Sequence, residues 1–308
     1  MRKKHFIFIV LCVYTLFSFS QNKNECEDDF SSIIHKDDVI VNLKQKRSNL
    51  FIDTHIEHDS LELMLESGTS GLILDEMFYD NFKDKSLFNL KTSNKRFRTV
   101  LSEERIKYLG TCKLHVGDII YKGPVIIIEG NDKNCRSIPI QHIVHPKSKK
   151  SYISFDKNNN KLIVHKKLKK NKLCTDTISL SYNKDGEPIV NTKLYFTNYD
   201  NDIDLIGNYI IDFGNASLLV LNTNIQEVSD SLSSRNIKFD IARNKIDGKV
   251  IGKGIFAPKM NLFGKSYKNV SIGITDKLKS IKEFGYIGYK IFDRPVTFDF
   301  EKNKLYFW

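Results

Sequence analysis

Apolar positions along the chain recur mostly in short alternating runs. Examples are residues 39–43, 61–65, 112–117, 125–130 and 161–166 in the first half, and 193–197, 209–213, 218–222, 260–264, 270–274, 296–300 and 304–308 in the second. A period of two in β-branched and aromatic residues, broken by Gly, Asn and Asp, is the pattern of half-buried strands. It predicts an all-β protein. Only residues 75–82 and 225–235 fit short helices.

The N-terminus follows a different pattern. Arg2, Lys3 and Lys4 precede an apolar run from Phe6 to Phe17, and Ser18 and Ser20 offer small residues for cleavage. This is the layout of a secretory signal peptide cut after Ser20; a membrane span would need roughly 20 apolar residues. The expected location is therefore periplasmic or extracellular, with no membrane attachment after cleavage. Leu11 before Cys12 is too large for a lipid-attachment site. The 308 residues, 41% apolar and 28% charged, are globular in profile and long enough for two medium domains. Disordered, collagenous and polytopic membrane classes are excluded. The net charge of +11 would suit nucleic acid, but part of it lies in the signal peptide and part in the basic stretch 165–172, where no aromatic residues interleave. That stretch reads as a solvated linker, and no nucleic-acid partner is expected.

After cleavage Cys26, Cys112, Cys135 and Cys174 remain, an even number that permits disulfides in an exported chain. Cys112 and Cys135 flank one hairpin-like stretch and form the favoured pair. There is no Cys-x-x-Cys, and His142 and His145 have no acidic or Cys partner nearby, so no metal and no cofactor are expected.

The two halves repeat each other. Residues 63–74 and 209–221 each read as apolar strand, acid, one residue, Gly, small polar residues and a second apolar strand, which aligns Glu66 with Asp212. Tyr121 and Tyr267 stand 55 residues beyond these acids, and Asp156 and Asp299 each open an Asn-Lys turn before a closing strand. Matched landmarks in the same order imply a duplication: a signal peptide (1–20), a first lobe (21–170) and a second lobe (171–308).

A duplicated strand ending in acid, hydroxyl residue and Gly resembles the signature of the aspartic peptidases, and the whole mature chain resembles their two-lobed pepsin-like or retropepsin-like members of the bacterial exported type. Residues 283–308 are similar to the apolar-apolar-Gly stretch, short helix and final strand with which that family's domains end. The resemblance implies a bilobal acid-protease fold of two β-barrel-like lobes around a cleft, an endopeptidase activity, and a peptide or protein lying in the cleft of a monomer. It assigns Glu66 and Asp212 as the catalytic acids, with Ser67, Gly68, Gly214 and Gly288 supporting their loops. Two carboxylates about 3 Å apart cannot both ionise, so such a pair shares one proton while it activates water.

The sequence departs from the family pattern in three places. Glu66 stands where Asp is expected, and its extra methylene moves the carboxyl by roughly 1 Å, a shift that can cost about a hundredfold in rate. Phe213 replaces the second hydroxyl residue, which removes half of the grip between the loops. Tyr286-Ile287-Gly288 has a first-lobe counterpart near Gln141 and His142, without a Gly. Two functions therefore follow: an endopeptidase with a Glu66/Asp212 pair, or a pseudopeptidase that only binds in the cleft. The Gly-rich stretch 247–254 reads as a mobile hairpin tip; its first-lobe equivalent falls near Ile106, which makes Tyr108 the candidate flap residue.

Other signals lead nowhere. Asp212-Phe213-Gly214 spells a kinase tripeptide with no nucleotide loop to accompany it, Ser67 and Ser70 lie in no nucleophile elbow, and Tyr306-Phe307-Trp308 is a closing strand.

Overall fold

A computed structural model describes residues 30–46, 49–98, 103–131, 133–168, 177–215, 217–235, 237–243, 250–279 and 281–308. The signal peptide, the boundary near residue 170, Cys26 and Cys174 lie outside them. The first lobe contributes β1 (Val39–Lys46), β2 (Asn49–Ile56), β3 (Asp59–Glu66), β4 (Leu72–Asp75), β5 (Phe88–Thr92), β6 (Arg96–Arg98), β7 (Glu103–Val116), β8 (Ile119–Ile128), β9 (Ser137–Pro139), β10 (Ile143–Val144), β11 (Tyr152–Asp156) and β12 (Lys161–Val164). The second contributes β13 (Thr177–Tyr182), β14 (Pro188–Asn198), β15 (Asn201–Asp212), β16 (Leu219–Asn222), β17 (Asp240–Arg243), β18 (Val250–Leu262), β19 (Lys265–Thr275), β20 (Gly285–Gly288), β21 (Val296–Asp299) and β22 (Lys304–Phe307). The alternating sequence runs are these strands. The two helical stretches form α1 (Glu76–Asn81), capped by the Asp75 carboxylate on the Phe78 N–H, and α2 (Gln226–Ser233).

The lobes share one topology. In the first, β3 runs parallel to β9, β4 parallel to β8, and β4 antiparallel to β9. In the second, β15 runs parallel to β20, β16 parallel to β19, and β16 antiparallel to β20. Each acid thus ends a strand flanked on both sides, which fixes its position through main-chain pairing rather than through a loop.

A sheet in the order β1–β12–β11–β21–β22–β13 joins the lobes. At its centre β11 pairs antiparallel with β21, Ser154 opposite Thr297, and the two hydroxyls hydrogen-bond at 2.6 Å. His165 extends this network, joined to Ser154 Oγ through Nε2 and to Asp38 Oδ2 through Nδ1, both at 2.7 Å. Although this is a Ser–His–Asp arrangement, Ser154 and His165 are fully buried in the sheet and no substrate reaches them. Trp308 Nε1 closes the network by donating to Thr297 Oγ1 at 2.8 Å.

The disulfide expected between Cys112 and Cys135 does not form. Successive residues of β8 face opposite sides of the sheet. Cys112 packs in the main core with Val125 and Ile127, whereas Cys135 packs against Ile126 and Ile128. Burial pushes the Cys112 thiol up to about 12.

Candidate active site

Glu66 and Asp212 end β3 and β15, and the structure brings them together at the lobe interface. The two carboxyls hydrogen-bond to each other. Each packs on the glycine of the opposite loop: a Cβ on Gly68 would stand 2.7 Å from the Asp212 carboxyl carbon, and one on Gly214 would overlap the Glu66 carboxyl. No residue with a side chain fits either position without displacing an acid.

The pair is not symmetric. Asp212 collects backbone N–H groups from Gly214, at 2.9 Å, and from Asn215 and Gly68. Burial raises its affinity for a proton, and these donors together with the Glu66 hydrogen bond oppose that rise. Glu66 is pushed well above the usual carboxylate range by burial and then by the Asp212 charge, with only the Gly214 N–H against it. The shared proton therefore resides on Glu66 and the charge on Asp212.

Ser67 supplies a grip across the lobes. Its hydroxyl donates to Ile211 O at 2.7 Å and accepts from Phe213 N at 3.0 Å. Phe213 returns nothing of this kind; its ring is fully buried against Phe155 at 4.9 Å and against Phe298, Phe292 and Tyr289 at 5.8–6.4 Å between centroids. The lost hydroxyl has become an aromatic plug.

Gly288 stands beside Asp212 in the parallel β15–β20 register, where a Cβ would meet Asn215 O at 2.6 Å. The register corrects its first-lobe counterpart, which is Pro139 beside Glu66 and not Gln141 or His142. The first lobe reaches its supporting strand a few residues sooner, so counting at the second lobe's spacing overshoots. Gln141 has a different task there. Its buried amide Nε2 donates to Thr69 O at 3.0 Å, Ser67 O at 3.4 Å and Gly186 O at 3.5 Å, tying the Glu66 loop to the second lobe.

Tyr108 is not at a hairpin tip. It lies within β7, paired with Thr92 of β5 and Ile127 of β8 and packed against Tyr79 at 5.5 Å; residues 99–102, between β6 and β7, lie outside the described residues. Of the Gly-rich stretch 247–254, residues 250–254 belong to β18, paired with β17, and residues 247–249 lie outside the described residues. His142 packs edge-on to Tyr121 at 5.9 Å, whereas His145 bonds Asp37 O at 2.7 Å, so the two do not converge. Among the described residues, no cluster of His, Cys, Asp and Glu is arranged to hold a metal.

Sequence reasoning missed Glu187, and it named Tyr286 only as part of the stretch that ends in Gly288. Glu187, just before β14, feels the Asp212 charge and contributes to the rise at Glu66; burial, then neighbouring acids, push it up to about 7. Tyr286 on β20 faces Glu187, Asp212, Glu283 and Glu66. Carrying the duplicated register one strand outward from Asp212 would have found Glu187.

Comparison with known proteins agrees with this geometry at the level of fold. Among 251 matching chains of solved structures, an aspartic proteinase from Irpex lacteus superposes with a TM-score of 0.54 at 9% identity, over 87% of this chain and 96% of its own. Conglutin gamma, a basic 7S globulin from lupine seeds, superposes with a TM-score of 0.50 at 11% identity, over 87% of this chain and 94% of its own. No protein-family model and no curated protein matches the sequence. The chain has the two-lobed aspartic-proteinase fold. Among the described residues, no helix is long and apolar enough to cross a membrane.

Proposed function

We propose that the protein is an aspartic-type endopeptidase, exported and monomeric, that hydrolyses a peptide lying between its lobes without a cofactor. The observation that carries this reading is the hydrogen bond joining two buried carboxyls, one from each lobe. Asp212, ionised and held by backbone N–H groups, takes a proton from a water bound at the pair. The water oxygen bonds to the scissile carbonyl carbon while Glu66 gives its proton to the carbonyl oxygen. Asp212 then passes its proton to the leaving nitrogen, the C–N bond breaks, and Glu66 recovers a proton from the collapsing diol.

A second reading, a pseudopeptidase that binds a peptide or protein without cutting it, is favoured by the crowding of the Glu66 carboxyl onto Gly214 and by the missing hydroxyl at Phe213. One assay separates the two. The purified protein should cleave an unfolded protein below neutral pH, and Asp212→Asn should lower the rate by at least about a hundredfold. If wild type and Asp212→Asn are equally inert while Glu66→Asp cleaves, the binding reading holds.

A further inference from the structure

The shared topology lets the surroundings of the two acids be compared position by position. Through the parallel pairings, Ser137 beside Met64 is the first-lobe equivalent of Tyr286 beside Ile210. Through the hairpins, in which Phe51 pairs with Met64 and Ile189 with Ile210, Asn49 is the equivalent of Glu187. The first-lobe flank is therefore neutral: Asn49 turns its amide to Met64 Sδ at 2.9 Å, and Ser137 is small and buried. The second-lobe flank carries a carboxyl and a phenol.

The β14–β15 register closes at Ile189 and Ile210, and Glu187, two residues before Ile189, lies near enough to Asp212, two residues after Ile210, to feel its charge. Like charges brought this near disfavour one another, and Asn49 shows that the fold does not require an acid there. Among the described residues no Lys or Arg pairs with Glu187. Its Oε2 takes the Asn183 Nδ2 donor at 2.5 Å, and among the described residues its Oε1 takes none. Gln141 adds an independent sign. Its Oε1 is buried with no donor among the described residues, on the same amide whose Nε2 reaches Gly186 O, the residue before Glu187. Both open positions at this corner are acceptors, so an occupant has to bring donors and positive charge.

We propose that the second-lobe half of the cleft is a subsite for a Lys or Arg side chain of the bound peptide, with Glu187 as its anion and Asp212, Tyr286 and Gln141 Oε1 around it. The proposal rests on the peptide cleft argued above but requires binding only, not hydrolysis. The titratable groups facing Glu187 are Asp212, Asp185, Glu283, Glu66 and Tyr286, none of them cationic. Because Glu187 titrates at about 7, the advantage of a cationic residue grows as pH rises to neutrality.

The test is fluorescence anisotropy at pH 7.5 with the purified protein and labelled short peptides identical except for Lys, Met or Glu at one scanned position. At one position Lys should bind about ten- to a hundredfold tighter than Met, the range of a charge-assisted hydrogen bond. Glu187→Gln should remove most of that advantage, weakening the Lys peptide far more than the Met peptide, and Glu187→Lys should favour the Glu peptide. Should either variant fail to fold by thermal melting, the wild-type Lys advantage must still shrink with added salt. Equal affinities for Lys and Met at every position, no binding at all, or a preference that survives Glu187→Gln overturns the proposal. Hydrolysis of the same peptides is scored separately. Cleavage without a Lys preference refutes the subsite alone, and a Lys preference without cleavage refutes the peptidase reading alone.

Discussion

Around the two acids, equivalent positions of the lobes have taken different residues. Where the first lobe has Ser67, the second has Phe213; where the second has Gly288, the first has Pro139. The first lobe reaches across with a hydroxyl that bonds both Ile211 O and Phe213 N, and the second holds its own loop by burying an aromatic ring. Backbone donors concentrate on Asp212, while Glu66 is left with burial and a neighbouring charge. The difference teaches that one shared topology can bring two acids together and still divide their duties through the residues around each. One lobe keeps the proton and the other keeps the charge.

The largest effect expected from disturbing this division comes from Phe213. Phe213→Ala opens a cavity among Phe155, Phe292, Phe298 and Tyr289, and a loss of about 3–5 kcal/mol in stability follows. Urea unfolding measures it. A loss below about 1 kcal/mol would mean that the ring is not the second lobe's anchor and that the comparison between the lobes is misdrawn.

A smaller effect separates the flanks. Glu187 is raised from its ordinary value of 4.5 to about 7, so the folded state favours its protonated form. Stability from this group is full below its unfolded value and is lost as pH rises through the folded value. Between about pH 4.5 and 7 the fold should lose on the order of 2–3 kcal/mol through Glu187, with Glu66 extending the decline in the same direction. Glu187→Gln should flatten the slope in that window. Asn49→Ala, at the neutral flank, should leave it unchanged, and equal slopes in wild type and Glu187→Gln would erase the asymmetry.

How legible was all this in the sequence? The strands, both helices, the matching strand pairings of the two halves and the meeting of Glu66 with Asp212 follow from period-two patterns and from equal spacing, because register carries a repeated pattern faithfully along a sheet. Spacing failed where the lobes differ in length, which misplaced the Gly288 counterpart and set Tyr108 at a hairpin tip when it lies within β7. Cys112 and Cys135 looked pairable because they flank one hairpin, but a strand's two faces are not visible from separation alone. Glu187 escaped notice because its partner is across a strand, not along the chain, and Gln141 because nothing in a lone Gln marks it as a clamp.

The finest test of the comparison is Ser67→Ala. Removing this hydroxyl leaves Phe213 N and Ile211 O buried without their shared partner, and leaving such groups unpaired costs about 1–2 kcal/mol. In a symmetric site a second hydroxyl would share the burden and the loss would be smaller still. Here no partner remains on the second lobe, so the Glu66 and Asp212 loops also lose their register, and cleavage should fall more than stability does. Comparing the urea midpoint of Ser67→Ala with its rate on an unfolded protein decides the point. A rate loss no larger than the stability loss predicts would reduce Ser67 to ordinary packing and leave the Gln141 amide as the tie that holds the loops together.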